Sequence, residues 1–108
     1  MSQVIMVVYD PMGREPMNPP QVLVDCDFEA GPPPGGFAFV EVYGDITRIN
    51  CSNGMVTMSS DRAKAKRFES AKAALEFWKR QSVTRPTRPD GCPNRPMTAY
   101  SVQVEAVA

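Results

Sequence analysis

Proline placement is the strongest constraint on how this chain can fold. The sequence has 11 prolines, and they fall into three groups, within residues 11–20, 32–34 and 86–96. Proline fixes its own φ angle and lacks a backbone N–H, so it interrupts helices and the interior of sheets. The four prolines of residues 11–20 predict a segment without regular structure. We therefore expect short elements joined by proline-rich loops.

The first two segments outside these groups have strand patterns. Residues 4–10 are almost continuously apolar and β-branched, which predicts a buried strand. Residues 21–29 alternate between apolar and polar side chains, which predicts a strand with one wet face. The expected buried face consists of Val22, Val24, Cys26 and Phe28, and the expected wet face of Leu23, Asp25, Asp27 and Glu29.

Residues 37–60 predict a third strand followed by a hairpin. Residues 37–44 are rich in aromatic and β-branched side chains, which favours a strand over a helix. Asn53-Gly54 lies between two short β-prone segments. This dipeptide favours a type I′ turn, because both central residues of that turn need positive φ. We therefore expect a hairpin across residues 45–60.

One helix is predicted, within residues 61–82. Its apolar stripe, spaced at the helical period, consists of Ala71, Ala74, Leu75 and Trp78. We expect Leu75 and Trp78 to be buried against the sheet, with Phe37, Phe39 and Val24 as the candidate partners. Ser70 is the expected N-cap, and a start at Ser60-Asp61 is the alternative.

The last predicted element is a strand across residues 97–107, where apolar and polar side chains alternate again. The element order is then β-β-β-β-β-α-β. This order predicts an α+β fold with a mostly antiparallel sheet of about five or six strands and one helix packed on one face. By its length, the chain 1–108 is expected to form a single domain.

Composition excludes several classes of chemistry. The chain has no histidine, so a Ser-His or Cys-His nucleophile pair and histidine-ligated metals are excluded within one chain. Cys26, Cys51 and Cys92 are widely spaced and odd in number, which argues against a disulfide scaffold and against a zinc site. We expect a protein that is not an enzyme and that has no cofactor or bound metal.

The chain also lacks the patterns of membrane insertion and export. No apolar run approaches the roughly 18 residues that a membrane-spanning helix needs. The first residues are apolar, but they lack a basic region and a small-residue cleavage site. A cytoplasmic location is the expectation.

Charge is unevenly distributed although the formal net charge is zero. Residues 1–50 contain seven acidic and two basic side chains, whereas residues 51–108 contain ten basic and five acidic ones. We expect an acidic face and a basic face, with some of these charges paired inside the domain.

Asp25, Asp27 and Glu29 are the candidate acidic site. On one face of a strand they would lie roughly 7 Å apart. That spacing is too wide for one cation to be shared without help from another element. The alternatives are a solvated strand face and an acidic surface that binds a basic partner.

Basic side chains are dense between residues 62 and 95, where only three acidic residues oppose them. The first group consists of Arg62, Lys64, Lys66 and Arg67, and it is the candidate nucleic-acid site, because phosphate binding needs such a density of cations. The alternatives are an ordinary solvated surface and a protein-binding surface.

Three arginines stand directly before prolines in VTRPTRPDGCPNRP (83–96): Arg85, Arg88 and Arg95. A residue before proline is driven out of the helical region, and Pro89-Asp90-Gly91 predicts a turn. The stretch is therefore expected to be stiff, and guanidinium groups held this way are good bidentate donors. They would face either a partner or the domain's own acidic half.

The C-terminal half, FESAKAALEFWKRQS and RPDGCPNRPMTAY, resembles short uncharacterised proteins of phage and prophage genomes. The positions that match are Phe68, Ser70, Ala74, Leu75, Phe77, Trp78, Arg80, Gln81, Ser82, Arg88, Pro89, Asp90, Gly91, Pro93, Asn94, Arg95, Pro96, Thr98 and Tyr100. The resemblance implies a phage-type accessory protein, a class that often binds a host protein, and it implies no catalytic activity.

The expected function is therefore non-catalytic binding of a host or phage protein, for example inhibition of a nucleic-acid-guided defence complex. The expected contact residues are Arg85, Arg88, Arg95, Asp25, Asp27 and Glu29. The alternative is a small nucleic-acid-binding protein. The exposed edges of such a sheet would also allow a dimer.

Overall fold

The computed structural model describes residues 3–9, 16–32, 39–50 and 54–107. The predicted α+β class is confirmed: within these residues one helix packs against a six-stranded sheet. The strands are β1 (Val4–Tyr9), β2 (Pro16–Asp27), β3 (Phe39–Tyr43), β4 (Ile46–Asn50), β5 (Met55–Ser59) and β6 (Val102–Ala106). The helix α1 is Ala71–Trp78, and two 3₁₀ helices span Arg62–Lys64 and Pro96–Ala99.

The sheet has the order β3-β4-β5-β2-β1-β6, and every neighbouring pair is antiparallel. The first strand lies between β2 and β6 and is buried over almost its whole length, which confirms the buried strand predicted at residues 4–10. The edges of the sheet are β3 and β6.

The prediction that residues 11–20 lack regular structure is wrong for residues 16–20, which belong to β2. Pro16 is the first residue of the strand and pairs with Tyr9. At the first position of a strand, the missing N–H of proline does not interrupt the hydrogen bonds between strands. The next pair is Val8 with Gln21, so an irregularity separates the two. Residues 11–15 lie outside the described part of the chain.

A β-bulge at Val24 changes the predicted faces of the second strand. Leu23 pairs with Met58 and Asp25 with Thr57, so Val24 is the extra residue on β2. A bulge shifts the alternation of side chains by one position. Leu23 therefore lies in the core with Cys26, although the simple alternation placed it on the wet face. The expected burial of Cys26 and Phe28 is confirmed, and Val24 is only half-buried.

The bulge also makes room for a later segment beside β1. The carbonyl of Leu23 accepts a hydrogen bond from the N–H of Lys66 at 2.9 Å. Two residues further on, Phe68 and Val4 exchange both backbone hydrogen bonds at 2.9 Å. Phe68 thereby enters the core beside the start of β1.

The hairpin predicted at residues 45–60 is confirmed, but Asn53-Gly54 are not the two central residues of its turn. Asn50 pairs with Met55, whereas a turn centred on Asn53-Gly54 would pair Ser52 with Met55; residues 51–53 themselves lie outside the described part of the chain. Gly54 instead provides space, because a Cβ added there would lie 2.5 Å from the side chain of Pro96. The two-residue turn occurs one hairpin earlier, where Tyr43 pairs with Ile46 and Gly44 has a φ of 61°.

Both predicted helix starts mark real caps, but of two separate elements. The Oγ atom of Ser70 accepts a hydrogen bond from the N–H of Ala73 at 3.1 Å, so the shorter helix is confirmed. The Oδ1 atom of Asp61 accepts one from the N–H of Ala63 at 3.0 Å and caps the 3₁₀ helix instead.

The buried side of α1 is rotated from the predicted stripe. Phe77 is buried and packs edge-on against Phe28, with ring centroids 5.2 Å apart, and also contacts Phe68 at 5.3 Å. The predicted burial of Leu75 is wrong, since 46% of it is exposed. In the fold, the bulge at Val24 and the pairing of Phe68 with Val4 bring Phe28 and Phe68 to the helix, and the helix buries the face that carries Phe77 against them.

The predicted packing partners of the helix are also corrected. Trp78 is half-buried, and its indole N–H donates to the carbonyl of Tyr100 at 3.1 Å. Phe39 lines a cleft with Asp25 on the opposite face of the sheet, so it is not a helix partner. Phe37 lies outside the described residues.

The last strand is shorter than the predicted 97–107. Residues Pro96–Ala99 form a 3₁₀ helix, and β6 begins only at Val102. Met97 and Tyr100 are both buried in the main core. A regular strand starting at residue 97 would put these two side chains on opposite faces of the sheet.

Because the buried face of α1 carries Phe77 and not Leu75, substitutions at these two positions are expected to lower the free energy of unfolding by different amounts. Phe77→Ala is expected to lower the free energy of unfolding by about 3–5 kcal/mol, because it removes a buried ring. Leu75→Ala is the matched control and is expected to cost less than about 1 kcal/mol at its exposed position. Urea denaturation measures both, and equal losses would contradict the observed helix orientation.

Candidate partner-binding surface

Residues 82–95 form a small hairpin, which we name the Arg-Pro hairpin. Its two arms pair antiparallel at Thr87 and Pro93. The N–H of Arg88 donates to the carbonyl of Cys92 at 2.8 Å, and the N–H of Asn94 donates to that of Pro86 at 2.9 Å. The stretch is thus an ordered element of the fold.

The tip of the Arg-Pro hairpin confirms the turn predicted at Pro89-Asp90-Gly91. The N–H of Gly91 donates to the carbonyl of Arg88 at 2.9 Å, and Gly91 has a φ of 88° that favours glycine. The Oδ1 atom of Asp90 accepts from the N–H of Cys92 at 3.0 Å. This hydrogen bond, with the nearby Arg88 charge, lowers the pKa of Asp90.

Two buried polar residues hold the base of the hairpin closed. The N–H of Ser82 donates to the carbonyl of Asn94 at 2.8 Å, and the Nδ2 atom of Asn94 donates to the carbonyl of Arg85 at 2.9 Å. The Oγ atom of Ser82 accepts from the N–H of Arg85 at 3.2 Å. Buried polar groups satisfied in this way fix one arrangement of the backbone.

The base is also tied to the turn that follows β2. The N–H of Val83 donates to the carbonyl of Phe28 at 2.7 Å, and the hydroxyl of Thr84 donates to that of Ala30 at 2.8 Å. Phe28 is itself buried against Phe77, so the hairpin is connected through one residue to the helix and the core.

All three arginines of the hairpin are exposed. Arg88 lies 3.4 Å from Asp90 of the same hairpin, and no acidic side chain among the described residues forms an ion pair with Arg85 or Arg95. Arg95 has the extended backbone predicted before a proline, with φ −115° and ψ 94°. The guanidinium groups therefore face solvent, and the acidic half of the chain does not neutralise them within the described residues.

The three predicted acidic residues do not form one row along a strand. Asp25 and Asp27 lie on the exposed face of β2, but the strand ends at Asp27. Glu29 lies beyond it in a turn, where its N–H donates to the Oδ1 atom of Asp27 at 2.9 Å. Glu29 lies between Phe28 and Ala30, whose carbonyls accept the hydrogen bonds from Val83 and Thr84 at the base of the Arg-Pro hairpin.

Asp25 and Asp27 line a shallow cleft of about 420 Å³, which has mixed charge. Glu41 and Arg48 from β3 and β4 line the same cleft, and their side chains approach to 3.8 Å. Within the described part of the chain, no three acidic or thiol side chains converge closely enough to hold a metal ion.

The four basic residues proposed for nucleic-acid binding point to different partners. Arg62 contacts Glu105 at 3.2 Å, and Lys64 contacts Asp45 at 2.9 Å. Arg67 is 3.5 Å from the side-chain oxygen of Gln3. These contacts confirm the expected charge pairing inside the domain.

Lys66 belongs to a cluster that the sequence did not indicate. Its Nζ atom lies 5.3 Å from the ring centroid of Phe77, and the guanidinium carbon of Arg80 lies 5.2 Å from the same centroid. Two cations thus cover the edge of the aromatic core, an arrangement that contributes cation–π attraction. Arg80 follows Phe77 by only three residues, but Lys66 is 11 residues away and reaches the ring only through the tertiary fold.

The described cysteines differ in reactivity. Cys26 is buried, and burial, with the charges of Asp25 and Asp27, raises the pKa of its thiol to about 12. Cys92 is exposed on the Arg-Pro hairpin, and both are free thiols. A buried thiol of this kind is a poor nucleophile because little thiolate forms near neutral pH.

Comparisons with known proteins return no relative: no family model, curated protein or solved structure matches the chain. Among the described residues no helix has the length and apolar character of a membrane span.

The Asp45 contacts predict a stability difference that depends on pH. Hydrogen bonds from Ser59 at 2.5 Å and from Lys64 lower the pKa of Asp45 in the folded protein. A lowered folded pKa stabilises the fold above the unfolded value of about 3.9, and this stabilisation is lost as pH falls through the folded pKa. Asp45→Asn should therefore melt below wild type at pH 7, with the gap closing towards pH 3.

Thermal melting of both proteins from pH 7 to pH 3 measures this gap. Glu76→Gln, on the exposed side of α1, is the control and should follow wild type throughout. A gap between Asp45→Asn and wild type that is constant across the whole range would show that the Asp45 charge is not involved.

Proposed function

We propose that this protein is a non-catalytic binding protein whose Arg-Pro hairpin holds an acidic surface of a protein partner. The observation that carries the proposal is the presentation of three exposed arginines on a hydrogen-bonded hairpin, with only Arg88 in an ion pair among the described residues. Guanidinium groups are suited to bidentate contacts with carboxylates.

Preorganisation of the hairpin supports this function. Ordering a flexible loop on binding costs conformational entropy, which here is already lost on folding. The bonds of Asn94 and Ser82 hold Arg85 and Arg95 at the base of the two arms, and the turn holds Arg88 near the tip. Three cations at set positions favour one matching arrangement of carboxylates over a diffuse acidic surface.

Asp25, Asp27 and Glu29 are the proposed second contact. Glu29 adjoins the hairpin base, so a partner seated on the hairpin would approach this residue first. If the partner binds nucleic acid, the exposed carboxylates would take the place of phosphates. The resemblance of the C-terminal half to phage and prophage proteins suggests a host or phage partner in the cytoplasm of the host cell, and a nucleic-acid-guided defence complex would be such a partner.

Nucleic-acid binding through Arg62, Lys64, Lys66 and Arg67 is the alternative, and the geometry supports it less. Arg62 and Lys64 would first have to leave Glu105 and Asp45. Lys66 is placed over aromatic rings and Arg67 is near Gln3. Arg62 and Arg67 do line one pocket, but two of the four cations would have to give up an ion pair before they could bind phosphate.

The hairpin proposal predicts the effect of removing its charges. The triple variant Arg85→Ala, Arg88→Ala, Arg95→Ala should bind a partner captured from a bacterial host lysate at least ~10-fold more weakly, which corresponds to about 1.4 kcal/mol. Lys72→Ala with Lys79→Ala removes two exposed cations of the helix region and is the control for loss of positive charge elsewhere on the surface. Calorimetric titration of the purified partner measures the affinities.

Asn94→Ala separates preorganisation from charge. It retains the three arginines but removes the hydrogen bond to the carbonyl of Arg85, so binding should weaken while the salt dependence of binding stays that of wild type.

Unchanged binding by the triple variant would refute the hairpin as the contact. A gel shift of duplex DNA or RNA at low salt that is lost in Arg62→Ala with Lys64→Ala would instead support the alternative, because phosphate contacts are strongest there.

A further inference from the structure

The outer edge of the sheet at β3 is exposed and apolar. Val40, Val42 and Tyr43 are 58%, 68% and 82% exposed. Among the described residues β3 pairs only with β4. Strands at a free edge are usually protected by charged side chains, especially lysine, by proline or by a bulge, and β3, with the sequence FVEVY, has only Glu41 among these features.

The backbone of this edge is arranged to accept another strand. Tyr43 and Ile46 flank the two-residue turn Gly44-Asp45. Residues that flank such a turn exchange both backbone hydrogen bonds, and the direction of the bonds alternates along the strand. Tyr43 and Glu41 therefore bond towards β4, whereas the N–H and C=O groups of Val40 and Val42 face the free edge.

We propose that two copies of this chain pair through β3, antiparallel and about a two-fold axis, so that the sheet continues from one copy into the other. Val40 and Val42 lie on the same face of the sheet as the half-buried Ile49, which packs against the main core. A second β3 extends this apolar layer, because antiparallel pairing places side chains of one face opposite each other.

Charge complementarity favours a register centred on Val42. A register centred on Glu41 would place the two Glu41 carboxylates directly opposite, which is destabilising. The register centred on Val42 places Tyr43 of each copy opposite Glu41 of the other. Glu41 is already next to Arg48, so the ring of Tyr43 meets a neutral ion pair and contacts a guanidinium group.

This register also completes a surface cleft. Glu41 and Arg48 line the cleft that contains Asp25 and Asp27, and β3 is the edge strand of the sheet on that side. Tyr43 of the second copy would lie beside Glu41 and extend the wall of the cleft. The second copy thus contributes a residue to the mixed-charge cleft of the first.

The other edge of the sheet is less suited to this pairing. β6 presents Gln103 and Glu105, which bond to Tyr9 and Arg62, and its Val102 and Val104 are half-buried. Pairing β3 with β6 of another copy would also leave one free edge of each kind and build an open fibre, whereas two β3 strands close about a two-fold axis.

Sedimentation velocity over a concentration series tests the proposal. Wild type should sediment as a dimer at high concentration and dissociate on dilution. Val42→Lys adds a charge to the edge and should give the mass of one chain throughout. Val83→Lys changes another valine, 62% exposed on the Arg-Pro hairpin, and should dimerise as wild type does.

Three outcomes would overturn the proposal. The first is a wild-type protein that stays monomeric at every concentration, which would leave the edge to a strand of a foreign partner. The second is a Val42→Lys variant that still dimerises, and the third is a Val83→Lys variant that does not. Circular dichroism checks that each variant is folded. If Val42→Lys does not fold, Val42→Thr replaces it; this variant keeps the β-branched shape and should weaken the dimer.

The register is tested by NMR in a mixed-label sample. Intermolecular NOEs between Tyr43 and Glu41 support the register centred on Val42, and NOEs between the two Glu41 side chains reject it. The dimer involves none of the three arginines of the Arg-Pro hairpin, and the two proposals share only the cleft lined by Asp25 and Asp27. Failure of the dimer therefore leaves the hairpin contact standing, and failure of the hairpin contact leaves the dimer standing.

Discussion

The bulge at Val24 is the constraint on which the rest of this structure depends. One extra residue on β2 turns Leu23, Cys26 and Phe28 towards the helix and leaves Asp25 and Asp27 on the opposite, exposed face. It also lets the Leu23 carbonyl accept from Lys66, so that Phe68 can pair with Val4. The bulge thus brings two of the three core phenylalanines into position. Without it, the alternation of β2 would place Leu23 on the same face as Asp25 and Asp27 and remove a central side chain from the main core.

Phe77 then connects the core to the surface. Its ring packs between Phe28 and Phe68, and the cations of Lys66 and Arg80 cover the outer side. Phe28 packs edge-on against Phe77, and its carbonyl accepts the hydrogen bond from the N–H of Val83 that anchors the Arg-Pro hairpin. The position of the arginines is therefore set by core packing as well as by the local stiffness of proline. A surface supported in this way keeps its geometry without contact from another molecule.

Charge has two distinct roles in this domain. Asp45 pairs with Lys64 and Glu105 pairs with Arg62, so two of the four basic residues that follow β5 are neutralised by ion pairs within the fold. Arg85 and Arg95 have no such ion pair within the described residues, and the single acidic residue of their hairpin is used by Arg88 and the turn. The dense basic sequence between residues 62 and 95 is thus divided into a structural part and a part that remains available. This division is why the hairpin is the better candidate for function.

The sequence by itself determined the features that depend on near neighbours along the chain. These are the strand patterns, the Ser70 cap, the turn at the tip of the hairpin and the α+β class, since each results from backbone preferences or hydrogen bonds over a few residues. Only the tertiary structure decided the bulge at Val24, the burial of Phe77 in place of Leu75, the partners of the basic residues and the position of β3 at the edge of the sheet. Each of these depends on which distant segments meet, and local propensity does not contain that information.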